Sequence, residues 1–302
     1  MPNHTSTLSF AIFTTAPLGK SVGAFFLEKG HNITFFCPAK ERNNLDRIGF
    51  GNYKDHLFFY NSVQDDRVLN KIISIHTDYI ISAYLSEKIP PKIITAASKQ
   101  AFNLHPSLLP LYRGAQPQFH AIYNQDTVSG LTLHLLSDTW DSGDIISQCT
   151  FKLDPTDTSG LINAKAENSI RPLLEQIYPY FLSNTFNPKP QPSSPYLPRL
   201  KDKDTLIDWS QTAQSCSALI RACNPILPAY TTINGSLLEL LECDITSENL
   251  PPGHFKVSNN QLLVGTADHA LSITCIRNMY GIFSINRFLT IFNLTDGLFD
   301  PL

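Results

Sequence analysis

The chain has 302 residues, of which 42% are hydrophobic and 16% are charged, and its formal net charge is -3. That much apolar material is enough for a packed core and argues against a disordered chain. The mildly acidic balance argues against a protein that depends on general attraction to a phosphate backbone, and the length favours two domains of ordinary size.

The cysteines and the N-terminus indicate the cellular compartment. The six cysteines include no CxxC pair and no Cys/His spacing typical of a zinc site. They predict reduced thiols. The start of the chain, Met1 to Phe13, lacks the basic region and long apolar run of a signal peptide. No apolar run approaches the ~20 residues that span a bilayer. We therefore expect a soluble, cytoplasmic protein without membrane association.

The first 186 residues predict a parallel α/β sheet. A buried strand at 8–15, a helix at 20–30 and a second strand at 32–38 form one strand–helix–strand unit. The pattern then recurs along the chain. The further predicted elements are a helix at 66–74, strands at 78–85 and 101–106, a helix at 114–125, strands at 129–137 and 144–153, and a helix at 158–184.

The composition changes at residues 187–204. This segment carries five prolines and no helical or strand period, so we predict an extended linker. A helix at 209–224 follows, and then short alternating strands separated by Asn-Gly and Pro-Gly turns. Residues 205–302 are therefore predicted to form a small, β-rich, barrel-like domain after a catalytic domain at 1–186.

One predicted strand end combines an amide with an imidazole, in the stretch FNLHPSLLPLYRG from Phe102 to Gly114. Asn103 and His105 are two residues apart, so on a strand both point to one face, while Leu104 points into the core. Parallel sheets present functional groups at the carboxyl ends of their strands. Histidine can accept and give protons near neutral pH, and an amide can donate to an oxygen that becomes negative.

The missing part of such a site is a carboxylate that orients the imidazole. The later stretch TWDSGD offers Asp141 and Asp144 for that role. The residue types alone favour neither of two interpretations, a catalytic site or a simple capped strand end. Two further histidines lie near this region, His120 on a predicted helix and His134 on a predicted strand, and the pattern favours a packing role for both.

The compound pattern resembles the folate-dependent formyltransferases, which include methionyl-tRNA formyltransferase, sugar-nucleotide N-formyltransferases and formyltetrahydrofolate hydrolases. That family combines an Asn-x-His strand end, a Ser-Leu-Leu-Pro loop, an Arg-Gly pair and a later Asp-x-Gly-Asp. Here they stand as NLHPSLLPLYRG and DSGD, with SGLTLH between them. The similarity extends to IDWSQTAQSCSALIRACNPILPAYTTING. The resemblance implies a Rossmann-like catalytic domain followed by a barrel-like (OB-like) domain.

The resemblance also implies residue roles, because Asn103, His105 and Asp141 match the family's catalytic triad. A primary amine would attack the formyl group of 10-formyltetrahydrofolate, with His105 accepting the proton and Asn103 stabilising the oxyanion. Asp141 would orient His105, and no metal would be needed. The implied folate-binding residues are Ser82, Tyr84, Leu85, Leu136, Asp138 and Asp144. The implied substrate-loop residues are Ser107, Leu108 and Arg113.

The acceptor is the open question at this stage. Transfer-RNA enzymes usually carry a basic loop after the second strand, whereas residues 37–56 here include Glu41, Asp46 and Asp55 among their basic residues. This departure favours a small-molecule or sugar-nucleotide amine. The alternatives are methionyl-tRNA as acceptor, a hydrolase, and a non-catalytic folate-binding relative. The complete C-terminal β domain is reminiscent of the transfer-RNA enzymes. The oligomeric state is open, with a homodimer as one alternative.

Overall fold

The structure is a computed structural model that describes residues 7–301. The predicted absence of a signal peptide depends in part on residues 1–6, which lie outside the described residues. The chain forms two compact units that alternate along the sequence. The first takes residues up to Gly114, Ser129–Phe151 and Ala164–Leu197, and the second takes the remainder. The domain boundaries at residues 187 and 204 stay a prediction.

The first unit is built on a seven-stranded sheet. Its strands are β1 (Ser9–Thr14), β2 (Asn32–Pro38), β3 (Leu57–Tyr60), β4 (Tyr79–Ala83), β5 (Gln100–His105), β6 (Val128–Leu135) and β7 (Ile145–Lys152). They lie in the order β3-β2-β1-β4-β5-β6-β7. The strands from β3 to β5 run parallel, and β6 runs antiparallel to β5. The predicted Rossmann-like sheet is confirmed.

Eight α-helices accompany the two sheets in the described part of the chain. They are α1 (Pro17–Glu28), α2 (Arg42–Arg47), α3 (Asp66–Ser74), α4 (Pro91–Ile94), α5 (Pro117–Tyr123), α6 (Ser159–Ser183), α7 (Ala213–Cys223) and α8 (Ile285–Phe292). The sequence patterns did not predict α2, α4, α8 or strand β3. Three of these span six residues or fewer, which is too short to show a helical or strand period.

Side chains on both faces of the first sheet are buried, which explains why its central strands are apolar throughout. All six residues of β1 are buried. Phe10 and Ile12 join the cluster on one face, and Ala11 and Phe13 join the cluster on the other. Aromatic rings fill much of the first cluster; Phe10, for example, stacks on Phe26 with ring centroids 3.9 Å apart.

The second unit contains an antiparallel sheet. Its strands are β8 (Ala229–Ile233), β9 (Ser236–Ile245), β10 (His254–Ser258), β11 (Gln261–Gly265), β12 (Ala270–Asn278), β13 (Gly281–Ser284) and β14 (Gly297–Leu298). The order is β14-β10-β11-β12-β9-β8, with β13 also paired to β12. Just after β14, the Asp300 N–H donates to the Thr232 carbonyl of β8 at 2.9 Å. The sheet therefore curls until its two ends meet, as predicted for a barrel-like domain.

No helix between residues 7 and 301 is long and apolar enough to cross a membrane. All six cysteines belong to this described range, and all are free thiols. Within the same range, no group of three or more His, Cys, Asp or Glu side chains is placed to hold a metal ion.

Phe181 of α6 tests the aromatic core. Its side chain is fully buried against the rings of Phe10, Phe26 and Tyr79. Because Phe181→Ala would leave a cavity there, we expect it to destabilise the fold by about 3–5 kcal/mol. The urea midpoint followed by tryptophan fluorescence measures this. The neighbouring Tyr180→Ala is the control, since Tyr180 is exposed, and an equal loss in both variants would contradict the packing argument.

Candidate active site

The alternation of β5 separates two kinds of side chain. Phe102 and Leu104 point into the aromatic cluster on one face of the sheet, where both are buried. Ala101 packs in the cluster on the opposite face, so Asn103 and His105 share that face with it. The strand thus presents an amide and an imidazole together at its carboxyl end.

The antiparallel partner β6 adds a second imidazole. In the register of the two strands, Asn103 lies opposite His134, and His105 lies opposite Thr132. The Nδ1 of His134 is 2.8 Å from the Leu135 carbonyl oxygen, which can only accept. Nδ1 of the neutral ring therefore carries the proton, and Nε2 accepts from the Asn103 amide at 3.0 Å.

Asp141 lies at the centre of this group. Its Oδ1 accepts a hydrogen bond from the Asn103 amide at 3.0 Å, and its Oδ2 accepts one from the Gly114 N–H at 3.2 Å. Oδ1 is also 3.6 Å from His105 Nδ1 and 3.7 Å from His134 Nε2. The structure therefore brings the three predicted triad residues together. Both amide hydrogens of Asn103 are engaged, one on His134 and one on Asp141.

Asp144, the second carboxylate considered from the sequence, contributes through its backbone. Its carbonyl oxygen accepts a hydrogen bond from the Leu135 N–H at 2.9 Å. This bond closes the turn that carries Asp141. Of the two aspartates, Asp141 is the one whose carboxylate contacts the Asn103 amide.

His105 stands between two acceptors. Its Nε2 donates to the Tyr112 carbonyl at 3.1 Å, and its Nδ1 faces the Asp141 carboxylate. A protonated ring can donate to both groups, whereas a neutral ring donates to one of them. With Nε2 engaged by Tyr112, Nδ1 is the nitrogen that is open to receive a proton. The side chain itself is buried, with a residue exposure of 5%.

Burial and neighbouring charge act in opposite directions on the pKa of His105. Burial lowers this pKa because the imidazolium loses its hydration, and His134 lowers it further, while Asp141 and the Tyr112 carbonyl raise it. The net shift is downward, so His105 is neutral at neutral pH. Burial alone would raise the pKa of Asp141, but His105, His134 and the Gly114 N–H together hold it below its usual value.

The turn that carries Asp141 has a demanding backbone. Asp141 itself adopts a left-handed conformation with a φ of 49°, which disfavours most side chains. Two residues later, a Cβ on Gly143 would lie 1.9 Å from the Leu135 carbonyl oxygen. Only glycine fits at that position. The DSGD sequence therefore specifies a tight turn that places a carboxylate against the β5 strand end.

The loop after β5 is held from within. Ser107 Oγ donates to the Leu111 carbonyl at 2.7 Å, and the Ser107 carbonyl accepts from Thr132 Oγ1 at 2.7 Å. The Leu108 side chain packs against Gly130, where a Cβ would come within 2.5 Å of it. Ser107 and Leu108 thus fix the loop, and their side chains are directed into the fold.

Arg113 occupies the end of the same loop. Its carbonyl oxygen accepts a hydrogen bond from the Leu197 N–H at 2.8 Å. Its Nε is buried and has no hydrogen-bond partner in the described structure. A buried donor without a protein partner is available to a ligand.

Two of the predicted folate-binding residues lie at the end of β4. Ser82 is buried and pairs in register with Asn103, so it lies one strand away from the site. Tyr84 has a φ of 60°, and its carbonyl oxygen accepts a hydrogen bond from Thr15 Oγ1 at 2.9 Å. The chain therefore turns sharply as it leaves the sheet at this point.

The other predicted folate-binding segments meet each other. Leu85 and Leu136 both pack against the apolar cluster on the face that carries the site. Lys88 Nζ donates to the Asp138 carbonyl, which joins the segment after β4 to the loop after β6. A hydrogen bond therefore joins the two segments that carry the predicted folate-binding residues, whose role in binding folate stays a prediction.

Three contributors to the site were missed in the sequence. His134 was interpreted as a packing residue, although it contacts the amide of Asn103. The Tyr112 carbonyl and the Gly114 N–H are backbone groups, which carry no side-chain signal. His134 could have been found by pairing β6 with β5 in antiparallel register, since alternation then puts it on the face of Asn103.

Comparison with protein families gives two matches that together span most of the chain. Residues 34–176 match the family described as "Formyl transferase". Residues 199–290 match "Formyl transferase, C-terminal domain".

Individual relatives agree with these matches. The chain is 30% identical over 207 residues to methionyl-tRNA formyltransferase of Lactobacillus delbrueckii subsp. bulgaricus, an alignment that covers 67% of this chain and 66% of that protein. It resembles HypX from Aquifex aeolicus in complex with tetrahydrofolic acid, with a TM-score of 0.72, 18% identity, and coverage of 95% of this chain and 48% of HypX.

A third relative is an N-formyltransferase from Helicobacter canadensis, in complex with folinic acid and dTDP-3-aminofucose. Its TM-score is 0.67 at 18% identity, with coverage of 88% of this chain and 99% of that one. At these identities the two solved structures establish a shared fold.

The charge of Asp141 should be visible in the titration of His105. We expect NMR of the His105 ring to give a midpoint below the ordinary 6.5, and Asp141→Asn to lower that midpoint further by removing the opposing carboxylate. Asp138→Asn is the matched control, because Asp138 is exposed on the same loop and should leave the midpoint unchanged. A higher midpoint in Asp141→Asn would mean that the carboxylate does not act on His105.

Proposed function

The chain belongs to the formyltransferase family, and we propose that it transfers the formyl group of 10-formyltetrahydrofolate to a primary amine. One observation carries this proposal: the largely buried Asp141 carboxylate contacts the Asn103 amide and faces the ring of His105. A neutral imidazole with a carboxylate beside it is suited to taking a proton from an attacking amine.

Each residue of the group has a defined task in this proposal. His105 receives the amine proton at Nδ1, where the new N–H lies beside Asp141 Oδ1. Asp141 would stabilise the resulting imidazolium by its charge and keep the ring in place. His105 would then give the proton to the donor nitrogen as the bond between that nitrogen and the formyl carbon breaks. Asn103 would exchange its 3.0 Å bond to His134 for one to the formyl oxygen as negative charge develops there.

The segments around the group fit a folate donor, which supplies the formyl group when bound. Leu85 and Leu136 offer an apolar surface on the face that carries the site, and Lys88 joins their two segments through the Asp138 carbonyl. A flat heterocycle rich in hydrogen-bonding edges suits such a cleft, where backbone groups recognise the edges and aliphatic side chains contact the ring faces.

For the acceptor, the sequence relatives support methionyl-tRNA, which was the alternative rather than the leading interpretation from the sequence. The Lactobacillus protein that covers two thirds of this chain is a methionyl-tRNA formyltransferase. A family match to the C-terminal domain at residues 199–290 accompanies it. We therefore propose the amino group of methionyl-tRNA as the acceptor.

A second candidate acceptor is the amine of an amino sugar linked to a nucleotide. The observation that favours it is the composition of residues 37–56. The basic residues there are Lys40, Arg42, Arg47 and Lys54, and the acidic residues are Glu41, Asp46 and Asp55. One of the four cations already has a partner, since the Arg42 guanidinium lies over the Phe59 ring at 4.0 Å. A nearly balanced segment attracts phosphates weakly.

Loss of the proposed base should remove most of the activity. His105→Ala is expected to lower the rate of formyl transfer by on the order of a hundredfold or more, because it removes the imidazole proposed to take the amine proton. The measurement is the initial rate with 10-formyltetrahydrofolate at saturating acceptor. His269→Ala is the control, since His269 is exposed in the other unit. A wild-type rate in His105→Ala would show that the residue does not act as the base.

An acceptor screen decides between the two candidates. With 10-formyltetrahydrofolate as donor, we expect formylation of methionyl-tRNA and none of amino-sugar nucleotides. The opposite result would replace the leading acceptor with the second one. Formate release without any acceptor would indicate a hydrolase, and folate binding without turnover would indicate a non-catalytic relative. The cytoplasmic location and the homodimer stay predictions.

A further inference from the structure

Part of the segment predicted to be an extended linker contacts the loops of the site. Lys189 and Ile145 exchange two backbone hydrogen bonds of 2.8 Å, at the start of β7. Farther along, Leu197 pairs with Gly114, the residue whose N–H holds the Asp141 carboxylate. We call residues 189–197 the strap, because both of its ends are fixed to the two loops that form the site.

Gln191 of the strap reaches the turn that carries the carboxylate. Its Nε2 donates to the Asp141 carbonyl at 3.3 Å and also to the Gly143 carbonyl. Both carbonyls belong to the tight turn in which Asp141 has a left-handed backbone and Gly143 lies too close to the Leu135 carbonyl to accept a side chain. Gln191 therefore bonds the backbone of the turn on both sides of Ser142, from outside the turn.

We propose that Gln191 is a positioning residue that fixes the Asp141 carboxylate at the distance from His105 that formyl transfer requires. This inference rests on the proposed function. Gln191 acts through Asp141, since its own amide contacts backbone oxygens and none of the three triad side chains.

The backbone of Asp141 explains why such a clamp is needed. A left-handed aspartate is held only when its surroundings over-determine it. Asn103 and Gly114 fix the carboxylate of Asp141. Neither of them contacts its backbone carbonyl. Gln191 supplies the missing contact on that side. Without it, the turn can relax and draw the carboxylate away from the ring.

The oxygen of the Gln191 side chain offsets part of the stability that its two donor contacts contribute. Its Oε1 is buried and has no hydrogen-bond partner in the described structure. Leaving a buried acceptor unpaired is unfavourable, so an apolar side chain of similar shape would remove that unfavourable contribution while losing two donor contacts. Function and stability should therefore separate when this residue is replaced.

Two substitutions use that separation. Gln191→Leu keeps the approximate shape and removes the donor, and Gln191→Glu keeps the shape but directs a charged oxygen at the two carbonyls. We expect kcat to fall about ten- to hundredfold, more for Glu than for Leu, because a small displacement of a catalytic group has effects of that size. The KM for 10-formyltetrahydrofolate should change by less than about twofold, and the thermal midpoint of Gln191→Leu should not fall.

A second readout does not depend on turnover. The titratable groups beside His105 are Asp141 on the loop and His134 on β6, and the Tyr112 carbonyl faces its other nitrogen. If Asp141 moves away in Gln191→Leu, the midpoint of the His105 ring titration, followed by NMR, shifts to lower pH. The acid limb of the pH profile of kcat shifts in the same direction. A residue with only a structural role would leave both midpoints in place.

Gln64→Leu and Gln64→Glu are the matched controls, since Gln64 is an exposed glutamine in the same unit. Wild-type kcat and an unshifted His105 midpoint in both Gln191 variants would overturn the proposal. So would a loss of kcat that appears only together with a lower thermal midpoint and an unshifted His105 titration. If the wild-type protein transfers no formyl group, the proposed function fails, while the NMR titration still tests the contact between Gln191 and the turn.

Discussion

A carboxylate that is largely removed from water is stable only where hydrogen bonds replace its hydration, and the site depends on this requirement for Asp141. Its hydrogen bonds come from two parts of the chain: the Asn103 amide on β5 and the Gly114 N–H at the end of the loop. Each partner has to be in place before the charge can be buried. The carboxylate therefore acts as a constraint on strand register, loop path and turn geometry together.

The antiparallel strand β6 is what allows this arrangement inside an otherwise parallel sheet. It puts His134 directly opposite Asn103, and it returns the chain to the turn that carries Asp141. A parallel neighbour would have needed a long crossover and would have delivered its loop at a different edge. Burial lowers the pKa of His105 by more than Asp141 raises it, so this imidazole is neutral at neutral pH. The pKa of Asp141 is lowered despite burial, so this carboxylate is charged.

Much of the fold could be predicted because its signals are local. Strands β1, β2 and β4 are short, largely buried apolar runs, and the buried residues of the long helix α6 recur at helical spacing. The pairing of Asn103 and His105 on one face follows from the strand period alone. His134 and the strap could not be found in this way, since their roles depend on strand neighbours and on contacts between residues far apart in sequence, such as Gln191 and Asp141.

The sequence by itself determined the residue types of the site and the local geometry that presents them: the two-residue spacing of Asn103 and His105, and the glycine that the turn after Asp141 requires. The residue types left Asp141 and Asp144 as alternatives, the family resemblance favoured Asp141, and the tertiary structure places the Asp141 carboxylate beside the imidazole. Only the tertiary structure decided that a proline-rich segment bonds to the turn of Asp141. The physical reason is that periodicity fixes directions along one element. Distances between elements follow from packing and strand register, which no single segment encodes.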